Sequence, residues 1–277
     1  MRAGPLECSM TSLLHRRLTD EYVNELIESA PCAVAQLTDA HRRSLTARFR
    51  AVATPGHRRL DAWSVEQAGQ RGRAFRWAPA TARRVLGNAA LRRVAVQPLT
   101  TITGAVRDEL ADQMLRAASG YARDGSLSYW LASAPHPVLG LVTAEAVNWA
   151  TQLQEITEGI HADWSVAPSD AYYDVASART TLRARRDVVI DRDDTRVVVR
   201  VRSGSPGKSA GPGLRADLTI DALADHEGLA PARLIGLWPE AGVCLCVDGT
   251  MADLRAGARD LVRTAVAQRR QRAPLAA

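Results

Sequence analysis

TTLRARRDVVIDRDDTRVVVRVRSG, Thr180–Gly204, holds two runs rich in Val, Ile and Thr on either side of the polar stretch Asp191-Arg192-Asp193-Asp194. β-Branched residues fit a pleated surface and Asp favours turns, so the stretch reads as an antiparallel hairpin. Side chains alternate along a strand. In the first arm Leu182, Ala184, Val188 and Ile190 then share one face, and Arg183, Arg185, Asp187 and Val189 the other. In the second arm Val197, Val199 and Val201 oppose Arg196, Val198, Arg200 and Arg202. One carboxylate, Asp187, thus meets a row of guanidiniums on one side of a sheet, and cross-strand ion pairing is its plainest role.

Working outward, the stretch is preceded by a helical pattern from Gly140 to Glu158, with Val142, Ala146, Trp149, Leu153 and Ile156 on one side and Glu145 beside them. After it comes a helix candidate from Gly213 to His226, then a second hairpin, Arg233–Trp238 and Val243–Val247, around Pro239-Glu240-Ala241-Gly242. A last helix opens at Thr250 and Asp253 in capping-box spacing.

This arrangement resembles the core of the PD-(D/E)XK, or restriction-endonuclease-like, nuclease superfamily, above all its RecB-type branch. In that family a helix bearing a Glu precedes a strand ending in Asp, a strand reading hydrophobic-(D/E)-x-K, a helix and a further strand. The resemblance implies that Glu145 is the helix acid, Asp187 the strand acid and Arg200-Val201-Arg202 the position of (D/E)-x-K. Both charged positions of that tripeptide depart from the pattern, because Arg200 stands for the acid and Arg202 for the lysine. Such nucleases hold Mg²⁺ between carboxylates so that the ion activates water. A guanidinium there repels the ion, and Arg, unlike Lys, does not give up its proton. The branch's Q-x-x-x-Y element is also replaced, by Asp217 and Asp221, which at i, i+4 face the same way.

The expected fold is therefore α/β, a mixed central sheet with flanking helices in residues 137–277, preceded by a helical N-terminal region in 1–136. The expected function is that of a catalytically inactive relative binding DNA or a protein partner through Arg183, Arg185, Arg200 and Arg202, with no cofactor. The alternatives are a Mg²⁺-dependent nuclease with rearranged ligands drawn from Glu145, Asp187, Asp217 and Asp221, or a structural or regulatory interaction protein with no nucleic-acid role. Two segments, FRWAPATARRVLG (Phe75–Gly87) and AEAVNWATQL (Ala144–Leu153), also resemble a group of uncharacterised proteins from high-GC bacteria, which implies no activity.

The rest of the chain narrows these classes. At 277 residues with 46% hydrophobic composition it suffices for a sizeable core. The net charge is +6, yet Lys208 is the only lysine among 36 basic residues, a skew that a high-GC genome produces by itself. Basicity is then weak evidence for polyanion binding. Gly207-Lys208-Ser209 lacks the first glycine of a Walker A loop, whose place is taken by Arg202, and Pro212-Gly213 interrupt any helix that would follow. His57-Arg58-Arg59 beside Trp63 is a candidate anion-binding corner, though a solvated charge run explains it as well. Trp164, Tyr172 and Tyr173 are needed chiefly for packing and could belong to an added strand. Cys244 and Cys246 read as small core thiols, with no zinc spacing and no disulfide framework. Met1–Met10 read as a frayed leader. The absence of a long apolar run and of an apolar leader predicts a cytoplasmic protein with no membrane partner.

The N-terminal region is read as helices over Thr11–Arg17, Thr19–Ser29 and Asp39–Val52, followed by helices from Pro79 and over Thr101–Ser119, and then a short segment, Leu127–Ala132, between two breaks. In the helix from Thr101, Ile102, Val106, Leu110 and Leu115 are expected to point inward. Ala134-Pro135-His136-Pro137 is read as the break that separates helices from sheet.

Overall fold

In a computed structural model of the chain, the residues described are 20–53, 57–68, 76–97, 99–122, 124–158, 164–166, 169–175, 178–192 and 195–272. The leader, the helix expected at Thr11–Arg17, the Thr19 cap and the turn residues Asp193 and Asp194 lie outside them. The fold is mixed α/β, as expected, with two mixed sheets. The chain forms two compact units, residues 1–71 with 162–277, and residues 72–161.

The boundary is not where the sequence places it. Helices α1 (Asp20–Glu28) and α2 (Asp39–Ala51), strand β1 (Arg58–Leu60) and helix α3 (Ala62–Gln67) belong to the sheet unit. The reason is packing: Leu37, Leu45, Phe49, Leu60 and Val65 are part of the same buried cluster as the later strands. At the other edge, the break assigned to His136-Pro137 is the first turn of a helix. Proline is tolerated there because the first backbone N–H groups of a helix have no intrahelical acceptor.

The helical unit comprises α4 (Pro79–Val96), α5 (Ile102–Ala118), α6 (Leu127–Ser133) and α7 (His136–Glu158). Ala82, Leu86, Ala90, Val106, Leu131, Val142 and Ala146 make its core, and buried Trp149 donates from Nε1 to Asn88 Oδ1 at 2.7 Å. Gly87 lets α4 and α7 meet, since a methyl group there would lie 2.8 Å from the Ala146 carbonyl oxygen. Leu115, expected inward, is exposed, and the side chain of Ile156 lies outside the described set.

The sheet unit contains β2 (Trp164–Val166), β3 (Ala171–Val175), β4 (Thr180–Ala184), β5 (Val188–Arg192), β6 (Thr195–Val201), α8 (Ala210–Ala224), β7 (Arg233–Trp238), β8 (Val243–Asp248) and α9 (Met251–Arg272). The five-stranded sheet runs β2-β5-β6-β7-β8, all neighbours antiparallel except β6 and β7. A parallel pair needs a crossover, and α8 is it. A three-stranded sheet runs β1-β4-β3.

The opening hairpin is thus real in its second half only. β5 pairs β6 with Val188 opposite Val199 and Asp191 opposite Arg196, but the expected first arm breaks at Arg185-Arg186-Asp187, and its earlier part, β4, joins the other sheet. The three consecutive charged residues are the signal for that break, because no alternation of burial can run through them. The aromatic stretch before the hairpin supplies β2 and β3, as the added-strand reading has it.

Between the sheets lies α8, whose residues Leu214, Ala216, Asp217, Leu218, Thr219, Ile220, Asp221 and Ala222 are all buried. A helix covered all round must be apolar or must pair its charges internally. It starts at Ala210 rather than Gly213, with Pro212 in its first turn, so Pro212-Gly213 do not interrupt it. The β7–β8 hairpin turns through a short 3-10 segment, Pro239–Ala241, closed by Gly242 at φ 62°. Thr250 caps α9, accepting from the Asp253 backbone N–H at 3.1 Å. Cys244 is free, and burial pushes its thiol up to about 11.

Candidate functional site

Where the β4–β5 break, the end of β6, the inner face of α8 and α3 meet, four arginines face four carboxylates. Asp187, 5% exposed, sits just before β5. Its backbone N–H donates to Val199 O at 3.2 Å, and its Oδ2 accepts the Val201 N–H at 2.9 Å. The carboxylate therefore takes over a ladder position that the strand break leaves open. Its Oδ1 lies 3.4 Å from Arg185 Nε.

The two positions that depart from (D/E)-x-K are next to it. Arg200, on β6, forms an ion pair with Asp217 of α8, and both are buried. Burial first, then Arg202 and Arg185, push the Arg200 guanidinium down to about 9, while Asp187 and Glu66 pull it up. It stays a cation at neutral pH. Arg202 grips both oxygens of Glu66, from α3, in a bidentate fork and lies 5.1 Å above the ring of Trp238. Asp221, one turn beyond Asp217, takes Arg186. The i, i+4 aspartates of α8 thus neither repel each other nor share a partner; each has its own arginine.

The charges balance, four cations against four anions. A buried carboxylate without a partner would be very costly, and so would a buried guanidinium. The sequence reading placed Arg183, Arg185, Arg200 and Arg202 on a face offered to phosphate. In the structure Arg200 and Arg202 are covered by α8 and α3, and any phosphate would have to displace a carboxylate. Arg183 pairs with Asp170 at 2.5 Å, on the other sheet. Glu66 went unrecognised at the sequence level, since nothing local to Ala62–Gln67 marks it as the partner of a residue so far along the chain.

The proposed metal ligands do not assemble. Glu145 belongs to the helical unit and lies 3.6 Å from Arg83. Asp187, Asp217 and Asp221 do share a region, but each is engaged by a guanidinium. Among the described residues no group of three or more His, Cys, Asp or Glu side chains is placed to hold a metal ion. The corner at His57-Arg58-Arg59 is structural: Arg58 is buried, donating to Thr180 Oγ1 at 2.8 Å and Ala265 O at 3.2 Å, and His57 Nε2 lies 3.0 Å from Thr181 Oγ1.

The buried pairs make stability depend on pH. Burial raises the Asp221 carboxyl above its ordinary range, against the pull of Arg186. The folded chain then holds that proton more tightly than the unfolded chain. The group's contribution is fullest below the ordinary carboxylate pKa and declines as pH rises through the raised value. Denaturant titrations across acid to neutral pH should show Asp221→Asn gaining on the parent chain as pH rises. A constant difference between the two would contradict the assignment.

No helix among the described residues is long and apolar enough to cross a membrane. No family model matches the chain, and no curated protein or solved structure matches it.

Proposed function

We propose that the chain is a non-catalytic relative of PD-(D/E)XK nucleases that acts by binding DNA. Two features support this reading. One is the element order: a strand entered at Asp187, the adjacent strand ending in Arg200-Val201-Arg202, the helix α8 and the parallel strand β7 follow the order of the family core. The other, which carries the proposal, is the Arg200–Asp217 ion pair. Where the family pattern would put a carboxylate facing a divalent ion there is a guanidinium, and Asp217 neutralises it.

A nuclease of this class needs the ion to position and activate water. With Arg200 in the acid's place and Asp187 held by the Val201 N–H and Arg185, the ion loses its ligands to internal contacts. What remains is a scaffold of net charge +6, which supports a polyanionic partner only weakly, because the arginine skew has a genomic explanation.

The test has two arms. Incubation with duplex DNA, single-stranded DNA and RNA in Mg²⁺ or Mn²⁺ should leave all three intact, and labelled duplex should bind with an affinity that falls as salt rises. Metal-dependent cleavage that disappears in Asp187→Ala would overturn the non-catalytic reading. Absence of binding at low salt would overturn DNA as the partner.

A further inference from the structure

One cavity of the sheet unit differs in character from the paired arginines. It is a cavity of about 400 Å³ between α2 and α9, floored by α8. Small-molecule sites typically occupy roughly 300–1,000 Å³ and combine an apolar wall with a few convergent polar groups.

Both helices present one face to it. On α2 the spacing i, i+3, i+4, i+7 brings His41, Ser44, Leu45 and Arg48 together; on α9 Leu254 and Ala258, and beside them Arg255 and Arg259, stack at i, i+4. Leu45, Leu223 and Leu254, all buried, form the apolar floor with Ala258. The charged groups are all of one sign. Arg48, Arg255 and Arg259 are exposed, no carboxylate is among the residues lining the cavity, and none of the three has an ion-pair partner among the described residues. Thr38 donates its backbone N–H to His41 Nδ1 at 3.3 Å, so the neutral ring keeps its proton on Nε2 as one more donor.

This differs from the arginines of the sheet face, where each cation has an internal carboxylate. Arg255 and Arg259 stand at i, i+4, a like-charge spacing that disfavours the helix unless an anion sits between them. An apolar floor under a cationic rim matches a molecule with the opposite layout.

We propose that this cavity binds a small amphiphilic anion, an aliphatic body carrying one carboxylate or phosphate head. The body covers the leucine floor and the head meets Arg48, Arg255 and Arg259. The site is independent of the DNA-binding reading, because a nucleic-acid backbone has no use for a leucine floor.

The experiment is titration calorimetry of the full chain with dodecanoate and with dodecyl phosphate below their micellar concentrations. Inorganic phosphate and an oligonucleotide serve as competitors. One site per chain is expected for at least one amphiphile, and the tighter of the two identifies the head group. Inorganic phosphate at equal concentration should not displace it. Arg255→Glu combined with Arg259→Glu should weaken binding at least tenfold without moving the unfolding midpoint. Ala258→Phe, which fills the floor and leaves the charge unchanged, should weaken it as well. Absence of saturable binding, affinity unchanged in both variants, or displacement by the oligonucleotide at lower concentration than by the amphiphile itself would each overturn the proposal.

Discussion

Arg200→Met is expected to lower the free energy of unfolding by about 3–5 kcal/mol, the cost of leaving a buried carboxylate without its cation. Asp217 is fully buried and its Oδ1 has no hydrogen-bond partner among the described residues, so the Arg200 guanidinium is what makes its charge tolerable. The companion substitution separates this from loss of packing. Arg200→Met with Asp217→Leu replaces the pair by apolar groups of similar volume, and such replacements are often neutral or stabilising. Most of the loss should therefore return in the double variant. Urea denaturation of the parent, Arg200→Met, Asp217→Leu and the double variant reads the coupling directly. Equal destabilisation of the single and double variants would mean that the pair does not hold the centre together.

A second large effect is expected at Arg233, which is 2% exposed at the start of β7. Its Nε donates to Asp248 Oδ1 at 2.6 Å and its Nη2 to Asp248 Oδ2 at 3.2 Å, across the β7–β8 pair. Its Nη1 donates to Leu26 O at 2.7 Å and lies 3.0 Å from Ser29 Oγ, at the end of α1. One side chain thus satisfies an orphan carbonyl at a helix C-terminus and a carboxylate on the neighbouring strand. Arg233→Met should cost about 3–5 kcal/mol, as for other broken buried pairs. It should also release α1 locally, so hydrogen exchange of the Asp20–Glu28 amides should speed up more than that of β6. Uniform acceleration over the whole sheet unit would contradict the anchoring role.

How much of this the sequence carried depends on range. Local pattern placed the β7–β8 hairpin, the Thr250 cap and the helices from Asp39, Pro79 and Thr101, because turn chemistry, capping spacing and apolar periodicity act within a few residues. It also marked Asp187, Arg200 and Arg202 as neighbours, and Asp217 and Asp221 as one face of a helix. It did not reveal that α8 lies between two sheets, and so that both aspartates would be buried against Arg200 and Arg186. Nor did it reveal Glu66, whose contact with Arg202 spans 136 positions. Pairing over such distances is fixed by tertiary packing, of which no local signal exists. Whether the arginine face is open or covered is not legible in the sequence for the same reason: alternation tells which side of a strand a residue occupies, and not what covers that side.

The boundary error at His136-Pro137 has a different origin. Two prolines in Ala134-Pro135-His136-Pro137 look like punctuation, but a proline in the first helical turn is compatible with a helix, and α7 begins there. Pro212 in α8 repeats the lesson. The split of the hairpin at Arg185-Arg186-Asp187 was visible as an interruption of the apolar row, and its consequence, a transfer of β4 to the sheet of β1 and β3, was not.

If guanidiniums stand where a nuclease of this class would hold its divalent ion, the folded chain has no specific site for Mg²⁺ or Mn²⁺. Thermal unfolding of the unmodified chain in millimolar Mn²⁺ or Mg²⁺, against the same chain in chelator, measures this with no assumption about substrate. A ligand that binds only the folded state raises its stability in proportion to the logarithm of its concentration over Kd. The midpoint should be the same in all three solutions. A rise that grows with metal concentration and vanishes in Asp187→Ala would place an ion beside Asp187 and contradict the account.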